Sequence, residues 1–421
     1  MKILLLNQCF WPDVAATAQH LSDLAGVLVE RGHEVTVVCA DRGYDDPQSR
    51  FPVRERWKGI DIIRVPSLQA NKKSRWQRAI NFASFLTACA GRLIFLPRQD
   101  VVIALTSPPL ISWLASWFTR LKGGRLIFWA MDLNPDEAVA AGWLANDSLP
   151  AKILVRLLNT SMERSAKIVA LDRFVKQRIE AKGIPPEKVQ IIPPWPLNDV
   201  DGYDKDGREQ FRRLHGFADK FVVMYAGNHS PCHPLKTLLD AAEKLTDRTD
   251  IVLCFVGGGS EFARVKHFAS SRALGEIVCL PYQPRSQLAA MLSAADLQVV
   301  IMGDPFVGII HPSKIYNVLQ VRVPFLYIGP TQSHVADIVE TLSDAAGIYI
   351  AQHGEVDRVV DHIQNAASHL KGDLRPRVVY KASDPLIEML NLVEEQPPSD
   401  RSATVEGYVV EDNSAVTVFP D

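Results

Sequence analysis

The sequence lacks the features that mark several common protein classes. It has six cysteines, at positions 9, 39, 89, 232, 254 and 279, and no C-x-x-C pair. Such scattered thiols offer neither a disulfide framework nor zinc-ligand spacing. Cys39, Cys254 and Cys279 lie in or beside apolar runs, as buried thiols of a reducing compartment do, and no metal site is expected. Net formal charge is −2, with no basic excess, so nucleic acid is not the expected partner. No run reaches the roughly 18–20 apolar residues of a membrane-spanning helix. The opening MKILLLNQCF is too short for a secretory leader and fits a first strand. These absences point to a cytoplasmic protein, one that at most lies against the inner face of the membrane. No G-x-G-x-x-G follows the first strand, so dinucleotide binding has no support there.

What is present is a repeating βα pattern. With 47% apolar and 22% charged residues the composition is that of a folded enzyme-like body, and 421 residues are too many for one core. Strand-like runs at Lys2–Asn7 and Glu34–Cys39 bracket a loop, Gln8–Thr17, and a helix, Gln19–Arg31. Further strands are expected at Ile60–Val65, Asp100–Leu105, Arg125–Ala130, Lys167–Leu171 and Val189–Ile192. Pro193-Pro194-Trp195-Pro196 and an acidic stretch then mark a boundary. The pattern restarts at Phe221–Ala226 and continues through Ile251–Val256, Glu276–Leu280, Asp296–Ile301 and Val323–Ile328. The fold class is therefore α/β, with two doubly wound parallel-sheet domains facing across a cleft, where open α/β sheets bind ligands. Domains are expected at 1–195 and 196–376, with a helix at 377–395 packing back on the first domain and a mobile tail at 396–421.

Three stretches carry chemistry. His311–Pro330 reads as loop, helix and buried strand, with Ser313 and Lys314 at the helix start. Free backbone N–H groups, a hydroxyl and an ammonium form a ready anion site; an ordinary αβ unit with a solvated lysine is the plainer alternative. Gly257-Gly258-Gly259 follow a strand and precede a helix, where bare backbone lets a ligand approach closely. Asp132, Asp136 and Glu137 lie past the Arg125–Ala130 strand. Asp136 and Glu137 suit a helix's first turn, whereas Asp132, nearer the strand end, suits an acceptor or catalytic role. Separately, Lys72, Lys73, Arg75 and Arg78 surround Trp76 at the head of an apolar helix. Such a segment can dock on anionic lipid, or simply be a solvated helix start. Trp113 and Trp117, at helical spacing, fit a core face.

The stretches Lys2–Val38, Ala226–Leu239 (AGNHSPCHPLKTLL), Phe255–Lys266 (FVGGGSEFARVK), Leu280–Val299 and Pro312-Ser313-Lys314 with Tyr316 give the chain a recognisable order. In these the sequence resembles the family 4 glycosyltransferases of GT-B architecture, and most of all their colanic-acid and cell-envelope polysaccharide branch. The resemblance implies retaining sugar transfer from a nucleotide-diphosphate donor, UDP- or GDP-linked, without a bound metal or other cofactor, to a saccharide or lipid-linked acceptor. It places the donor on the second domain. Asn228, His229, His233, Gly257–Gly259, Tyr282, Gln283, Ser313, Lys314 and Tyr316 would bind it, and the N-terminal loop with Asp13, Ala16 and Thr17 would close over it. Asp132 and Lys314 would serve catalysis. Where many members carry an arginine and a lysine after the first C-domain strand, this chain has Asn228 and His233. Asn317 and Ile309 stand in place of two glutamates, Ala15-Ala16 in place of a glycine pair, and Asp132 in place of a histidine. An inactive nucleotide-binding partner subunit and a non-hydrolysing sugar-nucleotide epimerase are the alternatives.

Overall fold

The computed structural model describes residues 1–13, 15–43, 49–68, 75–196, 202–342, 347–369 and 384–395. The expected tail at 396–421, and Lys72 and Lys73, lie outside them. Eight strands form the first sheet: β1 (Lys2–Leu6), β2 (Glu34–Ala40), β3 (Arg54–Trp57), β4 (Ile60–Val65), β5 (Val101–Ala104), β6 (Arg125–Ala130), β7 (Lys167–Ala170) and β8 (Val189–Ile191). Their order is β3-β4-β2-β1-β5-β6-β7-β8, parallel apart from the edge strand β3. The second sheet is wholly parallel, built from β9 (Phe221–Asn228), β10 (Ile251–Gly258), β11 (Ile277–Leu280), β12 (Leu297–Ile301), β13 (Phe325–Ile328) and β14 (Ile348–Ala351), in the order β11-β10-β9-β12-β13-β14. Chain direction across each sheet reverses beside its first strand, between β1 and β5 and between β9 and β12. Those reversals open the crevices that bind ligands in such sheets.

The carboxyl ends of the two sheets meet. Leu133, just past β6, donates its backbone N–H to the Ile309 carbonyl at 2.9 Å. Asp172, just past β7, lies 2.7 Å from His311. Asp23, on the helix after β1, pairs with Arg285 at 3.3 Å. Phe306, Ile309 and Ile310 of the second domain share an apolar cluster with Leu133, Leu158 and Met162 of the first.

Four local departures from the sequence reading have physical causes. The helix after β1 begins at Ala16, not Gln19, so Ala16 and Thr17 stand in its first turn and not in the loop; alanine favours a helix start as readily as a loop. The strand β3 (RERW) was not anticipated because it carries no apolar alternation. It pins the loop after β1: Trp57 stacks on Trp11 at 4.7 Å, and buried Arg64 of β4 bonds both Glu55 and the Trp11 carbonyl. The helix Lys205–Leu214, capped by Asp204, begins inside the acidic stretch that follows Pro196 and is not expected from it. Its buried residues are Arg208, Phe211 and Arg212; the two arginines, one turn apart, both bind the buried Asp296 carboxylate, at 2.7 and 2.9 Å. Burial would raise the Asp296 carboxyl, but the two guanidiniums hold it below the usual range. Finally, Trp117 is 38% exposed, with the Arg164 guanidinium over its ring.

The helix Pro385–Glu394 crosses back to the first domain. Met389, Leu390, Leu392 and Val393 are buried in one cluster with Leu21, Leu24 and Leu28 of the first helix. Glu394 pairs with Arg31 and His33, at 2.9 and 3.0 Å, and Arg125 bonds the Leu392 and Val393 carbonyls. Leu390→Ala should therefore lower stability by about 2–5 kcal/mol. A reduced midpoint in urea unfolding would register this; an unchanged midpoint would mean the helix adds nothing to that core.

Candidate active site

The second-domain half of the cleft is a glycine turn wrapped around two polar side chains. At the end of β9 and β10, Gly227 and Gly257 adopt φ of +129° and +135°. A Cβ on Gly257 would lie 2.1 Å from the Gly227 carbonyl oxygen, and one on Gly258 would lie 2.8 Å from the Tyr282 ring. Glycine is thus required by contact as well as by conformation. Beside this turn runs Lys314. Its Nζ lies 3.6 Å from the centre of the Tyr225 ring, and a Cβ on Gly227 would stand 3.3 Å from it. The ammonium is out of water and has no hydrogen-bond partner. Burial pushes its pKa down to about 7.

His229 is wholly buried in the same turn. Its Nδ1 lies 3.0 Å from the Gly227 carbonyl and 3.3 Å from that of Gly258. A carbonyl only accepts, so Nδ1 carries the proton and Nε2 is left as an acceptor without a partner. Burial, then the Lys314 charge, lowers its pKa to about 4. His233 is held the same way by the Ile301 carbonyl, 2.8 Å from its Nδ1, and burial lowers it to about 3. Both histidines are therefore neutral near pH 7. Asn228 packs against Gly259, where a Cβ would meet its Oδ1 at 2.3 Å. Tyr282 is 36% exposed, and Gln283 donates to the Pro281 carbonyl.

The helix Lys314–Val321 opens on this turn. Ser313 occupies its N-cap position, yet its hydroxyl caps nothing, because its backbone is already helical, at φ −58° and ψ −16°. Tyr316 is buried, its hydroxyl 3.0 Å from His311 Nε2.

Across the cleft, Asp132 follows β6 and donates its backbone N–H to Thr106 Oγ1 at 3.2 Å. Burial, and next the charge of Glu137, raise its carboxyl to about 7. Glu137 accepts from Asn134 Nδ2 at 3.0 Å and faces the Cys232 thiol at 3.8 Å, in the same loop as His229 and His233. Asp136 is instead paired with Lys182, at 2.9 Å. Asp13 is half-buried in the first-domain loop, its N–H on the Phe10 carbonyl. The fold thus brings Gly257–Gly259, Tyr282, Asn228, His229, His233 and Lys314 together, with Asp132 and Glu137 on the facing domain. Sequence reasoning missed Asp172, His311 and His334, whose donor atoms lie within 4.8 Å of one another. The His311 and His334 rings stack at 3.7 Å with planes 24° apart, so their in-plane lone pairs run alongside one another and do not converge on an ion. No signal short of the folded contact could have joined them.

Two family models match the chain: a glycosyl transferase 4-like domain over residues 16–195 and glycosyl transferases group 1 over residues 207–304. The protein named as colanic acid biosynthesis glycosyl transferase WcaI of Escherichia coli K12 is 23% identical over 362 residues, covering 82% of this chain and 88% of its own length. Among solved structures, WaaG, a glycosyltransferase involved in lipopolysaccharide biosynthesis, superposes with a TM-score of 0.64 at 16% identity, covering 93% of this chain and 99% of WaaG. Alr3699/HepE of Anabaena, solved in complex with UDP-glucose, gives 0.63 at 14% identity, with coverage of 87% and 90%.

Replacing Gly257 by alanine forces a Cβ into the Gly227 carbonyl at a positive φ, which disfavours a side chain by about 1–2 kcal/mol before the clash is counted. G257A should fold with reduced stability and a distorted turn. Chemical denaturation together with nucleotide titration would check both effects; native stability and native binding would show the close approach to be incidental.

Proposed function

Since the chain belongs to glycosyltransferase family 4, we propose that its cleft transfers a sugar, with retention, from a nucleoside-diphosphate sugar to a saccharide or lipid-linked acceptor of the cell envelope. The observation that carries this is Lys314, a buried ammonium with no acceptor beside a turn of bare backbone. A diphosphate supplies the missing anion. As the bond between the anomeric carbon and the β-phosphate oxygen breaks, charge gathers on the leaving diphosphate. Lys314 and the start of its helix stabilise that charge. The acceptor hydroxyl attacks from the face the diphosphate leaves, which gives retention without the carboxylate pair of a double displacement. Its proton passes to Asp132, whose raised pKa suits a base near neutral pH. The UDP complexes of HepE make UDP the first base to test. The epimerase alternative loses ground because the curated relatives carry transferase names.

For the acceptor side, the helix Arg75–Ile94 presents an exposed stripe without charge: Ile80, Ala83, Thr87, Gly91 and Ile94. Phe95 and Leu121 are 80% and 77% exposed, and Lys122, next to Leu121, bonds the Ile94 and Leu96 carbonyls at the end of the stripe, with Arg98 and Arg120 exposed close by in the chain. An apolar stripe rimmed by cations fits the surface of an anionic membrane, where a lipid-linked acceptor would reside. Arg75, Trp76 and Arg78 fall in this helix's first turn. Among the described residues no helix is long and apolar enough to cross a membrane.

Calorimetric titration with UDP is the test. Lys314→Ala should weaken binding by roughly tenfold to a hundredfold, a charge-assisted hydrogen bond of about 1.5–3 kcal/mol. Binding should take up protons near pH 7–8, because the diphosphate raises the Lys314 pKa from about 7, and affinity should fall as pH rises further. Asp132→Asn should keep UDP affinity and lose turnover. Equal UDP affinity in wild type and K314A would refute the site, and binding without turnover on any acceptor would favour an inactive partner subunit. Vesicles with anionic lipid should co-sediment the protein, and a Phe95→Asp, Leu121→Asp double variant should release it. Retention of that variant on the vesicles would remove the membrane assignment.

A further inference from the structure

The loop that carries the phosphate-side cation is held in place by the opposite domain. Between Ile309 and Tyr316 the chain is hydrogen-bonded to the first domain in both directions. One runs from the Leu133 N–H to the Ile309 carbonyl. The other joins Asp172 Oδ2 to His311 Nδ1 at 2.7 Å. A carboxylate only accepts, so the imidazole N–H is the donor. The other imidazole nitrogen, Nε2, lies 3.0 Å from the Tyr316 hydroxyl. His311 and Tyr316 stand on either side of Pro312-Ser313-Lys314, so this link closes a clamp around the turn.

The clamp is rigid at its first-domain end. Asp172 Oδ1 accepts the N–H groups of both Phe174 and Val175, capping the helix Arg173–Glu180. One carboxylate thus fixes a helix of one domain with one oxygen and a loop of the other with its second. The His311 side chain has no solvent exposure, and His334 lies flat against it at 3.7 Å. Burial would raise the Asp172 carboxyl, but the His311 hydrogen bond and charge hold it down, at about 2. The neighbouring Arg173 binds Asp337 of the second domain through two hydrogen bonds, at 2.6 and 2.9 Å. The contact is thus a bidentate ion pair beside a buried relay.

We infer that Asp172 is a positioning residue for nucleotide-diphosphate binding, acting from the first domain through His311 and Tyr316 to set the place of Ser313 and Lys314. This rests on the donor-site reading of Lys314. It goes beyond that reading in making the site incomplete without the first domain. Coupling of this kind is reciprocal: the nucleotide then favours apposition of the domains by as much as apposition favours the nucleotide.

The test is calorimetric UDP titration of the full chain as wild type, Asp172→Asn, Tyr316→Phe and the double variant, with thermal unfolding recorded for each. Asparagine keeps an oxygen for the helix cap and presents an N–H where His311 needs an acceptor. D172N should lose about tenfold in affinity, the size of one charge-assisted hydrogen bond, with its unfolding midpoint nearly unchanged. Y316F, which leaves the cap alone, should lose severalfold. The double variant should lose no more than the larger single loss, because both act through one relay. Native UDP affinity in D172N or in Y316F overturns the inference, as do losses that multiply in the double variant. If D172N fails to fold, the Y316F result alone decides by the same criterion. Absence of UDP, GDP and ADP binding by the wild type would overturn the donor-site reading, and this inference with it; that outcome is distinct from binding that ignores Asp172.

Discussion

A buried ammonium must find an anion or give up its proton. Lys314 is in that position: its Nζ is out of water, over the face of Tyr225, with no hydrogen-bond partner, and its pKa has fallen to about 7. The ring's electron-rich face offsets part of the lost hydration, and the glycines beside it contribute backbone and no competing side chain. Such a site costs stability until it is occupied. It is sensible only where occupation is the purpose, and it accounts for the neutral histidines around it. Protonated imidazoles here would repel the lysine and crowd the turn with charge; burial keeps each neutral, and a carbonyl on Nδ1 fixes its tautomer.

The lysine's place is decided by contacts from both halves of the molecule. Parallel sheets put their ligand-facing loops at one edge, and here the two edges meet, with Leu133 and Asp172 on one side and Ile309 and His311 on the other. A catalytic cleft assembled in this way can keep rigid scaffolds within each domain and leave adjustment to a few polar contacts between them. Asp132 fits the same scheme. It belongs to the first domain, yet its environment is set partly by Glu137, which reaches toward the second-domain loop at Cys232.

How much of this was legible in the sequence follows from what each element buries. The β-strands with unbroken apolar runs, the glycine turn and the Ser313–Lys314 helix start are local patterns, and each lies where those patterns put it. The strand Arg54–Trp57 and the helix Lys205–Leu214 carry too few apolar residues to show a period, Trp57 in the one and Phe211 with Leu214 in the other. Arg208 and Arg212 point inward to Asp296, so the usual apolar periodicity is absent. The link between Asp172 and His311 spans 139 positions and depends on two domains meeting, which no local pattern encodes. Ser313 shows the converse: a residue type that reads as a cap stands at the cap position with its hydroxyl unused for capping.

The helix Pro385–Glu394, seated in the first domain's core beside Leu21, Leu24 and Leu28, bears on the order of events during synthesis. The start of that domain leaves the ribosome long before the segment that closes it. Until then an apolar face must wait uncovered, which exposes the nascent chain to association. The second domain can complete its own sheet first, so the molecule finishes from its middle outward. The finished chain passes between domains twice, once after β8 and once before Pro385. Two connections restrict how freely one domain can turn about the other, where a single one would leave it free to swivel.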